Sequence, residues 1–148
     1  MTDVLDRPAS ADLRATGAGE PLKGGIMPYL MLDGADDAIA FYQQALGAEL
    51  VGGAHRMDDG RVLNARIDVN GASLMLMDPM PEHGYPAVAH AGCTLHLQVD
   101  DADRWFARAT GAGMQVVMPI GDQFWGDRYG QVKDRFGVSW SFGSPLKR

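Results

Sequence analysis

Apolar positions near the start of the folded part of the chain change from a continuous run to helical spacing. The run over 26–32 (IMPYLML) predicts a strand. After it, apolar residues recur three and then four positions apart: Ile39, Tyr42 and Leu46. This spacing predicts an amphipathic helix, which Asp36 or Asp37 is expected to cap and Gly47 to end.

Turn sequences divide the next part of the chain into strands. Asp58-Asp59-Gly60 and Asn70-Gly71 are sequences that favour hairpin turns. The strands around them are predicted over 49–56, 61–69 and 72–77. The segment 78–92 is rich in proline and glycine and therefore predicts a connecting loop.

The same succession of elements recurs after this loop. Further strands are predicted over 93–99, 114–120, 128–134 and 138–143. Between the first two, a helix is predicted over 101–110, with Asp100 or Asp101 as its cap and Gly111 at its end.

The two halves also align residue by residue. Setting Gly47-Ala48 against Gly111-Ala112 places Phe41-Tyr42 over Trp105-Phe106. The final hairpin recurs as well, after a small shift. Because cap, aromatic pair, glycine and hairpin return in the same order, we predict a duplicated module.

We therefore predict an α+β protein built from two tandem βαβββ modules. The predicted division of the chain is a flexible N-terminal tail over 1–23, a first module over 24–80, a connecting loop over 81–92, a second module over 93–145 and a C-terminal tail over 146–148.

Parity sorts the residues of each strand, since neighbouring side chains point to opposite faces. One face is aliphatic and aromatic, as at Leu95, Trp140 and Phe142, and is expected to pack on the helices. The other face mixes methionine, hydroxyl and imidazole groups, which is typical of a pocket lining. Its predicted residues are Met27, Tyr29, Met31, Met75, Met77, Thr94, His96, Ser139 and Ser141. The alternative is that these methionines fill a core and that the polar residues face bulk water.

The segment 124–130 (FWGDRYG) adds Trp125 and Arg128 to the predicted pocket. The planar guanidinium of Arg128 can bind a carboxylate, a phosphate or a backbone carbonyl. The alternative is that Arg128 pairs with an acidic neighbour such as Asp134 and braces the hairpin.

Composition narrows the possible partners and compartment. The formal net charge of −6 argues against a nucleic-acid surface. No apolar run approaches the roughly 18 residues of a membrane span, and the N-terminus lacks the pattern of a secretory signal. The single cysteine, Cys93, excludes an internal disulfide and is expected to be a buried thiol. We expect a cytoplasmic protein without nucleic-acid or membrane partners.

Three segments resemble the vicinal oxygen chelate superfamily, which includes glyoxalase I, extradiol dioxygenases and bleomycin-resistance proteins: PYLMLDGADDAIAFYQQALGAEL, LHLQVDDADRWFARATGAGMQVV and FWGDRYGQVKDRFGVSWSF. The opening and closing segments look most similar to the PhnB-like branch. The resemblance covers about residues 24–145. It implies a curved, cavity-enclosing mixed sheet with the helices on its outer face, and a homodimer whose modules pair.

The resemblance also implies where a metal ion would bind. Metal-dependent members place His, Gln or Glu at four strand positions, which match Met27, Thr94, Met75 and Ser141. Thioether and hydroxyl groups are poor ligands for the usual divalent cations, so no metal or other cofactor is expected at this site. A displaced site built from His96, His55 and Glu49 stays open.

Three functions follow as hypotheses. The first is a metal-free protein that binds a small organic molecule in its pocket. The second is a metal-dependent lyase, isomerase or dioxygenase with a displaced metal site. The third is an interaction module with a vestigial cavity.

Overall fold

Two four-stranded mixed sheets and two α-helices make up residues 25–147, the part of the chain that the computed structural model describes. The elements of the first half are β1 (Tyr29–Met31), α1 (Ala35–Leu46), β2 (Glu49–Arg56), β3 (Val62–Val69) and β4 (Ala72–Met77). Those of the second half are β5 (Thr94–Gln98), α2 (Ala102–Gly111), β6 (Gln115–Asp122), β7 (Asp127–Lys133) and β8 (Ser139–Pro145). The predicted tail over 1–23 lies outside the described residues.

The two sheets share one topology. Their strand orders are β1-β4-β3-β2 and β5-β8-β7-β6. In each sheet the first strand pairs in parallel with the last, and the other pairings are antiparallel. This confirms the predicted α+β fold of two βαβββ units. The eight strands form two sheets of four that do not close on each other, and the predicted module boundaries stay a prediction.

An aspartate from the end of the first sheet caps α1. Asp78 Oδ1 accepts hydrogen bonds from the backbone N–H groups of Gly34, at 3.2 Å, and Ala35, at 2.8 Å. The expectation that Asp36 or Asp37 caps this helix is wrong, because both lie in its first turn and Gly34 is the N-cap. Negative side chains in a first turn still stabilise a helix through its dipole.

The second helix has both a local and a long-range cap. Asp101 accepts a hydrogen bond from the backbone N–H of Arg104 at 3.1 Å, as predicted. Ser144 Oγ accepts another from the N–H of Ala102 at 3.0 Å. Ser144 lies near the end of β8, as Asp78 follows the end of β4, so each sheet caps its own helix.

The helix C-termini differ slightly from the prediction. Gly47 ends α1 in the left-handed conformation, with φ of 64°, as expected. Gly111 is still helical in α2, and Ala112 is the C-cap. Within residues 25–147, neither helix combines the length and apolarity needed to cross a membrane.

A buried carboxylate joins the two halves in one core. Helix α1 packs against α2, and the ring of Tyr42 meets that of Trp140 at a centroid distance of 5.3 Å. Asp134 Oδ2 accepts hydrogen bonds from the Tyr42 hydroxyl at 2.6 Å and the Trp140 indole N–H at 2.9 Å. Its Oδ1 accepts from the backbone N–H groups of Phe136 and Val138. Burial, and then the charge of Asp134, raise the pKa of Tyr42 above its usual range.

Candidate functional site

The register of the second sheet brings polar residues together on the face turned away from the helices. His96 in β5 lies opposite Ser141 in β8, and Ser141 lies opposite Gln131 in β7. In the next row, Gln98 and Tyr129 flank Gly143. Because paired residues of a sheet share a face, these side chains form one continuous surface.

Hydrogen bonds on both ring nitrogens hold the imidazole of His96. Nδ1 lies 2.8 Å from Ser141 Oγ, and Nε2 lies 2.8 Å from Gln98 Oε1. In the neutral ring, Nε2–H donates to Gln98 and Nδ1 accepts the Ser141 proton. Ser141 is only 1% exposed, so its hydroxyl depends on His96 for a partner. The ring is therefore fixed in orientation although the residue is exposed.

Aromatic rings form a wall beside His96. The Tyr129 ring stacks on the His96 ring with centroids 5.8 Å apart and planes 29° apart. Gln131 Nε2 donates to the Tyr129 hydroxyl at 2.8 Å. The Trp125 ring meets Tyr129 edge to face at 5.4 Å and is 49% exposed. About half of the Trp125 side chain is therefore exposed at this end of the site.

These groups line a shallow, open pocket of about 310 Å³. Its lining consists of Thr94, His96, Trp125, Asp127, Tyr129 and Ser141. Four of these belong to the predicted site, and Ser139 lies opposite Thr94 in the register. Asp127 and Tyr129 were not predicted, although counting parity along β7 would have placed both on this face.

The positions of His96 and Gln98 depend on a small residue in β8. Gly143 is buried, and a Cβ built on it would lie 2.8 Å from Gln98 Oε1 and 3.0 Å from His96 Cε1. Side chains cannot approach that closely, so any larger residue would displace His96 or Gln98.

The predicted residues of the first half form a separate surface. Tyr29 lies opposite Met75, and Met31 lies opposite Met77. The Tyr29 hydroxyl donates to the carbonyl of Leu63 at 2.8 Å and accepts from Asn64 Nδ2 at 3.0 Å. Neither these four predicted residues nor Met27 lines the His96 pocket. Met77 is 7% exposed, so it fills its part of the face.

Arg128 lies on the opposite face of β7 from Asp127 and Tyr129. Its guanidinium binds Asp103 and Asp122, each at 3.0 Å at the closest. The hydrogen bonds from Arg128 lower the pKa of Asp103 below its usual range. The brace therefore exists, but the expected partner Asp134 is wrong, because Asp134 is buried in the core.

One further residue, close to the connecting loop, differs from expectation. Cys93 was expected to be buried and is exposed, because it lies just before β5 in the loop that leads into it. His90 is half-buried, and its Nε2 lies 2.6 Å from the carbonyl oxygen of Met31.

The donors present do not fit a divalent cation. Across residues 25–147 no three His, Cys, Asp or Glu side chains group as a metal site would require. His96, His55 and Glu49 are accordingly not brought together in this chain. Of the four positions that the resemblance implied, Ser141 binds His96 and Met75 accepts a contact from Asn64 Nδ2 at 3.6 Å. We derive no metal-dependent step from these residues.

Comparison with known proteins gives consistent matches along the chain. The model of the Glyoxalase/Bleomycin resistance protein/Dioxygenase superfamily matches residues 28–142. The uncharacterised protein Mb0911c of Mycobacterium bovis is 38% identical over 128 residues, which are 82% of this chain and 84% of the relative.

Solved structures give the same result. Protein PA1353 of Pseudomonas aeruginosa is 30% identical, with a TM-score of 0.68 over 84% of this chain and 100% of that chain. A PhnB protein from Bacillus cereus is 23% identical, with a TM-score of 0.64 over 82% of this chain and 99% of that one. The PhnB likeness shows the fold alone.

Proposed function

Because the chain belongs to the glyoxalase/bleomycin resistance protein/dioxygenase superfamily, we propose that it binds a small organic molecule in the His96 pocket without a metal ion. The observation that carries the proposal is the pocket itself. It combines an imidazole fixed on both nitrogens with two aromatic rings and hydroxyl groups, in a space large enough for a single-ring compound.

The fixed polar groups support binding. His96, Ser141 and Gln98 already satisfy one another, so a ligand does not have to order them on entry. The exposed indole of Trp125 offers a flat apolar surface that loses contact with water when a ligand covers it.

A thermal-shift screen of a chemically diverse compound library tests the proposal. We expect compounds that raise the melting temperature of the wild type and lose that effect in His96→Ala. The variant itself should lose about 1 kcal/mol of stability, since the buried Ser141 hydroxyl loses its partner. A library without hits, or hits that bind His96→Ala equally well, would contradict the proposal.

Elemental analysis of the purified protein addresses the metal-dependent alternative. Stoichiometric Zn, Ni, Mn or Fe after mild dialysis would favour that alternative over the metal-free pocket. The homodimer expected from the resemblance stays a prediction, and gel filtration at several protein concentrations tests it.

A further inference from the structure

The pocket contains a carboxylate with no cationic partner. Asp127 begins β7, is half-buried, and lines the pocket beside Trp125 and Tyr129. Across residues 25–147 its side chain makes no ion pair and no hydrogen bond, whereas several other aspartates do pair. Asp36 binds Arg56, and Asp103 binds Arg128.

The surrounding rings suit a positive charge. The faces of Trp and Tyr rings are negative and attract ammonium groups within about 6 Å, most strongly for Trp. Trp125 and Tyr129 lie edge to face at 5.4 Å and flank Asp127 in the sequence. The π-electrons of the rings and the carboxylate of Asp127 therefore both favour a positively charged ligand.

The nearby cations do not cancel this preference. Arg128 projects from the other face of β7 and is already bound by Asp103 and Asp122. Lys133 shares the face of Asp127 but lies six residues further along β7, which is about 20 Å at the rise of an extended strand. The protein as a whole is also acidic, with a formal charge of −6.

On these grounds, and resting on the proposed function, we infer that the pocket selects organic cations: a protonated amine or quaternary ammonium group attached to a single aromatic ring. Asp127 neutralises the ammonium group, the exposed ring of Trp125 lies beside it, and His96 with Ser141 lies beneath the rest of the molecule.

Three probes of nearly equal size and different charge test the inference: 2-phenylethylammonium, 2-phenylethanol and 3-phenylpropionate. Calorimetric titration of the wild type at physiological salt should show the ammonium compound binding about fivefold more tightly than the alcohol, with the carboxylate weakest. In Asp127→Asn the affinity for the ammonium compound should fall about fivefold, while that for the alcohol stays unchanged.

Further variants distinguish an effect of the pocket residues from an effect of the overall negative charge of the protein. Asp58→Asn removes one exposed negative charge at the β2–β3 turn and should leave all three affinities as in the wild type. Trp125→Ala, which alters an exposed ring rather than a buried one, should weaken the ammonium compound about fivefold.

Several outcomes overturn the inference. They are equal binding of the ammonium compound and the alcohol, tightest binding of the carboxylate, equal effects of Asp127→Asn and Asp58→Asn, and no binding by any probe. If the alcohol or the carboxylate binds in a His96-dependent way, the pocket stands and only the charge preference fails. The library screen decides the proposed function independently of these three probes.

Discussion

The two sheets have the same topology, but their open faces carry different side chains. In the first half, the strand that pairs with β1 carries Met75 and Met77. At the corresponding places in the second half, β8 carries Ser141 and Gly143. The strand opposite carries Tyr29 in one half and His96 in the other.

This difference explains why the pocket lies in the second half. Methionine side chains fill the surface beside Tyr29, and its hydroxyl is satisfied by Leu63 and Asn64. In the second half, Gly143 leaves room for the side chains of His96 and Gln98, and the pocket lies beside His96. A duplicated fold can thus keep its backbone while the side chains of one strand differ between the halves at the places that matter for the pocket.

The two halves differ in the side chains of their open faces but share one core. We therefore expect the stability of the fold to depend mainly on that core. Replacing Asp134 with Ala should produce the largest effect, a loss of about 3 kcal/mol in the free energy of unfolding. The reason is that the buried donors of Tyr42 and Trp140 lose their acceptor. Urea denaturation followed by circular dichroism measures this loss.

Asp58→Ala, at an exposed turn, is the control and should change stability by less than about 0.5 kcal/mol. A loss below about 1 kcal/mol for Asp134→Ala would show that the halves do not depend on this contact.

Tyr42→Phe should have a smaller effect that depends on pH. It removes the 2.6 Å hydrogen bond to Asp134 and should cost about 1 kcal/mol at pH 8. Burial raises the pKa of Tyr42 in the folded state, so its contribution is fully present below the unfolded value of about 10 and is lost as the pH rises above it.

The gap in stability between wild type and Tyr42→Phe should therefore shrink between about pH 9 and pH 11. Urea titrations at pH 8, 9, 10 and 11 measure it. A gap that stays constant would mean that Tyr42 is not the titrating group.

Local patterns were sufficient to predict most of the fold. The spacing of Ile39, Tyr42 and Leu46 predicted α1, and Asn70-Gly71 predicted the hairpin that β4 follows. The cap of α1 was wrong because the acceptor, Asp78, lies more than 40 residues away in the sequence and reaches the helix only after the sheet forms.

The site was predicted less completely, for a reason that lies in the strands. Parity placed Thr94, His96 and Ser141 on one face, and the structure gathers them in one pocket. Parity could not show that Met77 is buried or that Gly143 makes room for His96 and Gln98, since both depend on which strands lie side by side. Arg128 was included in the predicted pocket because of its chemistry, but parity alone would have placed it on the face of β7 that Tyr129 does not share.

The most direct test is to place a methionine of the first half at the matching position in the second half. Gly143→Met replaces the small residue with the methionine found at the matching place in β4, and its backbone does not require a positive φ. The control, Lys133→Met, adds the same side chain to an exposed position of the same face. The ligand is the library compound that stabilises the wild type most, titrated by calorimetry into all three proteins.

Our account predicts that Gly143→Met binds at least about tenfold more weakly, because its side chain displaces His96 or Gln98, while Lys133→Met binds like the wild type. Unchanged binding by a folded Gly143→Met protein would contradict the claim that the ligand occupies the second-half pocket.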